Sequence, residues 1–229
     1  MPDSKLQLDS WRIFRILAEF VDGFETMVSV GPSVSIFGSA RIPPDHEYYA
    51  VAEKVSRKIA EKGFGIITGG GPGAMAAANK GAQEAKSPSC GISINLPYEE
   101  SHNPYIDKEY LLKLRYYFVR KVLFIRYAIA CVFLPGGFGT LDELFETLTL
   151  IQTKKIKRFP IFLIGTTYWE KMIDWLKQSV MEGGYIDKSD LELFTVTDDL
   201  DMVADIIQKY GEQAPTTTFE IGKNDSQLS

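Results

Sequence analysis

The sequence predicts an α/β, Rossmann-like fold: a mostly parallel sheet with helices on both faces, preceded by an extra N-terminal helix. Three observations predict it. Short β-branched and aromatic runs alternate with amphipathic stretches of about 10 to 18 residues, the rhythm of strand–helix–strand units. Glycine-rich turns follow three of the expected strands, and the ends of strands are where open α/β sheets bind ligands. The chain of 229 residues, 45% hydrophobic and 24% charged, suits one large domain able to bury a core.

The first element is a helix. Trp11, Phe14, Leu17, Phe20, Val21 and Phe24 recur at helical spacing and give it an aromatic stripe. It is expected to lie across the outside of the main domain or against a second subunit. The run Val34-Ser-Ile-Phe37 reads as the first strand and is followed by a helix from about Asp45 to Lys62. Gly65-Ile-Ile-Thr68 is the second strand, leading into a glycine cluster and a helix around Ala74 to Ala85. Gly91 to Ile94 is a third strand and Tyr110 to Arg115 a short fourth. A helix from about Phe118 to Ile129 then precedes the strand Cys131 to Leu134. The remaining pattern is a helix over Thr140–Thr153, a strand over Pro160–Ile164, a helix near Trp169–Met181, a strand around Phe194–Val196 and a helix over Leu200–Tyr210. This divides the chain into an N-terminal helical extension (1–30), a Rossmann-like domain (31–211) and a loose polar tail (212–229).

Composition excludes several classes. The net charge of −5 argues against a broad nucleic-acid or anionic-membrane surface, which needs a basic excess. No apolar run approaches the roughly 20 residues of a membrane span, and no signal-peptide pattern opens the chain. Cys90 and Cys131 sit in apolar runs and read as buried thiols in strands, without disulfide or metal spacing, so a cytoplasmic location is expected. His46 and His102 read as surface or loop residues rather than catalysts.

The chemistry is expected at three strand ends. Gly38-Ser39-Ala40-Arg41 follows the first strand, a small turn with a hydroxyl and an arginine suited to a phosphate or ribose. Thr68-Gly69-Gly70-Gly71-Pro72-Gly73-Ala74-Met75 joins the second strand to a helix. Its glycines let backbone approach an anion, and the helix start aims free N–H groups and a positive dipole end at it. No Gly-Lys-Ser/Thr closes this loop, so it is not a P-loop, and its spacing is not that of a dinucleotide fingerprint. The third end, Pro135-Gly136-Gly137-Phe138-Gly139-Thr140-Leu141-Asp142-Glu143, opens a helix with acidic residues in its first turns. Those acids can simply cap the helix, but two glycine turns converging on one crevice can hold a phosphate and present a carboxylate. Arg120 and Lys121 lie upstream among aromatic residues, on the helix leading to the third turn.

These residues carry a resemblance. Pro135-Gly-Gly-Phe-Gly-Thr-Leu-Asp-Glu143 is similar to the PGGxGTxxE signature of the LONELY GUY (LOG) family, and the Arg120-Lys121 pair stands fifteen residues before Pro135, as that family keeps it. Gly69-Gly-Gly-Pro-Gly-Ala-Met75 resembles its phosphate loop, with Ala74 replacing a leucine, and the similarity covers roughly Val34 to Tyr210. The resemblance implies a nucleoside 5'-monophosphate phosphoribohydrolase: AMP or a cytokinin riboside 5'-monophosphate plus water gives free base and ribose 5-phosphate. It implies no metal and no cofactor, and a homo-oligomer, dimer or higher. Arg120 and Glu143 become the catalytic pair. The substrate contacts become Gly38, Ser39, Gly70, Gly71, Gly73, Met75, Glu100, Lys121, Gly136, Gly137, Gly139, Thr140 and Thr149. The lysine decarboxylase label that such sequences have carried finds no support, since nothing marks a pyridoxal site with a Schiff-base lysine. Two rival readings stand beside this one: a non-catalytic nucleotide or cofactor carrier on the same fold, and a broad purine nucleotide nucleosidase serving salvage.

Overall fold

The computed structural model describes residues 4–94 and 103–213. A long helix α1 (Ser4–Val30) leads into β1 (Ser33–Phe37), α2 (Glu47–Glu61), β2 (Gly65–Thr68), α3 (Ala74–Glu84) and β3 (Ser89–Ile94). After the segment 95–102, β4 (Leu111–Leu114), α4 (Tyr117–Arg126), β5 (Ala128–Phe133), α5 (Phe138–Gln152) and β6 (Ile161–Leu163) follow. The chain continues with α6 (Thr166–Trp175), a π-helical extension over Leu176–Met181, β7 (Thr195–Val196) and α7 (Leu200–Gly211).

The seven strands form one sheet in the order β4-β3-β2-β1-β5-β6-β7, and every neighbouring pair is parallel. The Rossmann-like α/β class expected from the sequence is therefore the observed one. Strand order reverses between β1 and β5, so the carboxyl ends of these two strands flank the crevice where such sheets bind ligands.

The central strands β1, β2, β5 and β6 bury both faces, which explains their near-continuous apolar runs, whereas the edge strand β4 alternates exposed and buried residues. Val34, Ile36, Ile66, Val132 and Leu134 face a layer built from Val55 and Ile59 of α2, Ala77 and Ala78 of α3, and Val203 and Ile207 of α7. Phe37, Ile67, Cys90, Cys131 and Phe133 face the opposite layer, with Met27 of α1, Leu123 and Phe124 of α4, Leu144 of α5 and Trp169 of α6. Both cysteines are buried and free, and burial raises both thiols, Cys90 to about 12. As thiols they are poor nucleophiles.

Three expectations need correction. Helix α1 spans Ser4–Val30, well beyond Trp11–Phe24, and Met27 and Val30 continue its buried face past Phe24. Helix α4 stops at Arg126 rather than Ile129, since Ala128 and Ala130 pair with Ser33 and Val34 of β1, and pairing overrides alanine's helical preference. The helix expected over Trp169–Met181 begins at Thr166 and turns π-helical at Leu176.

Helix α1 also answers the question of its packing. Ile16, Phe20 and Phe24 pack against the core, and Met27 and Val30 are buried within it. Trp11, Phe14, Leu17, Val21 and Val28 stay more than half exposed on the chain as it stands. Residues 214–229, most of the expected tail, lie outside the described residues.

Candidate active site

The three strand ends meet at Ser39. Its N–H donates to the carbonyl of Pro135 (3.1 Å), and its own carbonyl accepts from the N–H of Ala74 (2.9 Å). The N–H of Leu134 donates to the carbonyl of Phe37 (2.8 Å), completing the seam between β1 and β5. Gly38 packs against α3, where a Cβ would fall 2.7 Å from that of Ala74. All three turns read from the sequence are thus tied into one backbone structure.

Beneath the glycine cluster lies a buried polar network. Thr68 Oγ1 donates to Asn79 Oδ1 (2.6 Å) and accepts from the N–H of Gly70 (3.1 Å). Asn79 Nδ2 donates to Ser89 Oγ and the carbonyl of Cys90, while Asn103 Nδ2 donates to Asn79 Oδ1 and the carbonyl of Gly71. A network satisfied in this way fixes loop shape at little cost in stranded polar groups.

A cavity of about 590 Å³ opens above the Ser39 seam. Gly38, Ser39 and Arg41 form one wall, Gly69 and Met75 a second, and Gly137, Gly139, Thr140 and Glu143 a third; Tyr117 and Arg120 reach in from α4. Of the expected contacts, Gly38, Ser39, Met75, Arg120, Gly137, Gly139, Thr140 and Glu143 therefore line one space. Gly70, Gly71, Gly73 and Gly136 do not, and their small size serves backbone packing: a Cβ at Gly136 would lie 2.1 Å from Thr140 Oγ1. Lys121 and Thr149 face a separate groove along α5, shared with Phe145 and Leu150, and Phe138 and Leu141 border both spaces. Thr149 Oγ1 donates to the carbonyl of Phe145 in its own helix (2.7 Å). Glu100 lies outside the described residues, as does His102.

The turn after β5 is unlike the others in its emptiness. A Cβ at Gly137 or Gly139 would meet nothing within 4 Å, so neither glycine is needed for packing inside the chain. Gly137 caps α5 without a side-chain bond, and the first N–H groups of a helix have no intrahelical acceptor. Bare backbone donors at the positive end of a helix dipole form an anion or hydroxyl seat.

Glu143 sits one turn further along α5. It is 3% exposed, and neither carboxylate oxygen has a hydrogen-bond partner among the described residues. Burial raises its carboxyl to about 7; Lys121 and Arg120 pull it down, while Glu146 and Asp142 push it up. An acid buried without partners is costly unless a ligand completes it, and a carboxyl titrating near neutrality suits acid–base work. Arg120 stacks over Tyr117 (Cζ 4.2 Å from the ring centre) and beside Phe124 (5.5 Å), and its Nε is likewise without a hydrogen-bond partner. The stacking holds the guanidinium against aromatic faces and leaves its N–H edge for a ligand.

Lys121 is committed elsewhere. Its Nζ contacts Asp142 (2.8 Å) and Glu146 (2.5 Å), the acids flanking Glu143 in sequence. Phe138 and Leu141 of the glycine turn line the cavity too, and so does Tyr117, which was not among the expected contacts. Tyr117 precedes Arg120 by one helical turn, the spacing at which side chains on a helix meet, and that signal could have found it.

The fold and cavity define a Rossmann-like α/β protein with a mononucleotide-sized pocket at the topological switch point. Residues 75–207, more than half of the chain, match the family model described as "Possible lysine decarboxylase". The chain belongs to this family, the LOG family. It is 27% identical over 165 residues to a cytokinin riboside 5'-monophosphate phosphoribohydrolase of Mycobacterium marinum, covering 71% of this chain and 86% of that protein. It is 26% identical over 140 residues to the enzyme LOG of Oryza sativa subsp. japonica, covering 59% of this chain and 56% of the rice protein. Among solved structures, TM1055 superposes with a TM-score of 0.59 at 24% identity, covering 78% of this chain and 99% of that one. The molybdenum cofactor carrier protein of Chlamydomonas reinhardtii superposes with 0.55 at 20%, covering 80% and 99%. These structural likenesses show the fold alone.

The decarboxylase description implies a pyridoxal group bound to a lysine amine, and the residues do not fit it. Among the described residues no lysine lines the cavity; Lys121, next to Arg120 in sequence, has its ammonium paired with two carboxylates, and against the lowering effect of burial these hold it raised. Among the described residues, no group of three or more His, Cys, Asp or Glu is arranged to hold a metal. No helix among them is long and apolar enough to cross a membrane.

Proposed function

We propose that this protein hydrolyses the N-glycosidic bond of a nucleoside 5'-monophosphate, AMP or a cytokinin riboside 5'-monophosphate, giving free base and ribose 5-phosphate. One observation carries the reading: a buried carboxylate without a hydrogen-bond partner among the described residues, Glu143, borders the same mononucleotide-sized cavity as the Arg120 guanidinium and the open N-terminus of α5. Cleavage of such a bond builds positive charge on the ribose ring. Ionised Glu143 stabilises that charge and orients the ribose hydroxyls or the attacking water. Arg120, permanently protonated, positions the phosphate or ribose and is a poor proton donor. The N–H groups at Phe138 and Gly139 hold a further oxygen of the ligand. Self-association, implied by family resemblance, would use the exposed apolar side of α1.

The test is incubation with AMP and with isopentenyl-AMP, followed by chromatography for free base and ribose 5-phosphate. Both products are expected in equal amounts. Glu143→Gln is expected to lower turnover by about 10² to 10³ while the protein stays folded. Retention of unchanged AMP by the wild-type protein would refute hydrolysis and support a carrier. Faster cleavage of unmodified purine nucleotides than of isopentenyl-AMP would favour a salvage nucleosidase.

A further inference from the structure

Helix α1 touches the entry to α4, the helix that carries Tyr117 and Arg120 to the cavity, through a contact that neither the family match nor the catalytic residues account for. Glu19, half-buried on its inner side, accepts two backbone hydrogen bonds at the start of α4. Oε1 takes the N–H of Arg115 (2.9 Å) and Oε2 takes the N–H of Tyr116 (3.2 Å). Among the described residues, no other side chain caps helix α4 at this end. Its N-cap residue is Tyr116, whose side chain makes no capping bond, and its first turn holds no acidic residue. The N–H groups that donate to Glu19 belong to the N-cap Tyr116 and to Arg115 just before it, so Glu19, ninety-six residues from Arg115, fixes the entry of the chain into α4 and sets its negative charge at the positive end of the helix dipole.

What this cap holds is the arginine wall of the cavity. Tyr117 is the first residue of α4, and Arg120 lies one turn in, stacked on the Tyr117 ring. Further along, Gly23 meets Leu123 so closely that a Cβ would fall 2.6 Å from Leu123 Cδ1, and Arg126 stacks over Phe24 at 5.0 Å. Helix α1 thus grips α4 at its start, middle and end. The middle and end contacts are packing, whereas the Glu19 contact fixes the turn that carries Tyr117 and Arg120.

We propose that Glu19 is a positioning residue of this site: by capping α4 from the N-terminal helix, it holds Tyr117 and Arg120 in place at the cavity wall. The inference rests on the reading that Arg120 serves a bound nucleotide. It makes the N-terminal helix part of the site's scaffold.

The experiment uses the full chain, AMP as probe, and the variants Glu19→Ala, Glu19→Gln, Arg120→Ala and the Glu19→Ala/Arg120→Ala double variant. In Glu19→Ala, kcat for adenine release is expected to fall about five- to tenfold. Glu19→Gln, which keeps one oxygen acceptor but loses the charge and the second acceptor, recovers only part of the loss. In the Arg120→Ala background the Glu19 change adds little, since its effect runs through Arg120. Two readouts do not depend on turnover. Hydrogen exchange at the amides of residues 115–118 is expected to rise in Glu19→Ala while α2 is unchanged. Labelling of Arg120 by phenylglyoxal, read by peptide mass spectrometry, should rise relative to Arg57 on α2. Wild-type kcat and KM in Glu19→Ala, or full additivity in the double variant, would overturn the proposal. If the wild-type protein releases no adenine, the hydrolase reading fails by itself, and unchanged exchange and Arg120 labelling would then overturn the positioning role.

Discussion

A Cβ added to Gly73 would lie 2.4 Å from the carbonyl oxygen of Ser39, the atom that accepts the first N–H of α3. Gly73 also holds a φ of +66°, a conformation that L side chains rarely adopt. Gly73→Ala is therefore expected to destabilise the fold by roughly 2 to 4 kcal/mol through steric conflict and backbone strain together. Urea denaturation measures this, and an unchanged midpoint would contradict the packing described at Ser39.

Gly139 makes the opposite case. It lies inside α5 with open space where a Cβ would go. Gly139→Ala is expected to stabilise the helix by about 0.5 to 1 kcal/mol, because alanine loses less backbone entropy than glycine. The same methyl group would stand in the space assigned to the ligand, so KM for AMP should rise several-fold. Improved stability with undiminished affinity would show that the ligand does not approach this backbone.

Glu143 links stability to pH in a direction opposite to that of a salt-bridged acid. Its carboxyl titrates near 7 in the folded chain, against an ordinary 4.5. Between those values the folded state keeps a proton that the unfolded state has lost, so stability falls as pH rises from about 4.5 through 7. Glu143→Gln removes the buried charge and is expected to raise stability at pH 8 by roughly 1 to 3 kcal/mol, with little gain at pH 4. Thermal melts of both proteins at the two pH values decide it. The variant that is least active should be the more stable one.

Activity should carry the same titration. If the ionised carboxylate is the working form, kcat/KM for AMP rises with pH and levels off above about 7. Its acid limb should vanish from the residual activity of Glu143→Gln. A flat profile from pH 5 to 8 in the wild-type protein would exclude Glu143 as the group that sets the rate.

Lys121 tests whether that titration is governed by its neighbours. Its ammonium bridges Asp142 and Glu146 and pulls Glu143 down. Lys121→Met should push Glu143 further up and move the acid limb to higher pH, with KM above the limb nearly unchanged. A raised KM with the limb in place would instead mean that Lys121 touches the nucleotide.

The residues that could be read one turn at a time were read from the sequence. The glycine turns after β1, β2 and β5, and the arginine and glutamate beside them, are local patterns in which backbone freedom, helix starts and side-chain chemistry are properties of adjacent residues. Periodicity exposed the alternation of strands and helices for the same reason. Where local preference conflicted with pairing, as at Ala128 to Ala130, the strand won because β1 offered it hydrogen bonds that an isolated segment cannot foresee.

Other features exist only because distant segments meet. Lys121 follows Arg120 in the chain, yet it turns to Asp142 and Glu146 while Arg120 faces the cavity, since successive residues on a helix point in different directions and α5 happens to pass on one side. Of the four glycines between positions 69 and 73, only Gly69 reaches the cavity; approach to Ser39 and to the Asn79 network claims others. The cap that Glu19 places on α4 joins residues ninety-six positions apart. The sequence by itself determined which chemical groups this protein has and what local shapes its chain can take. The tertiary structure alone decided which of those groups lose water and stand without partners, because burial and charge pairing depend on every segment that packs around a residue.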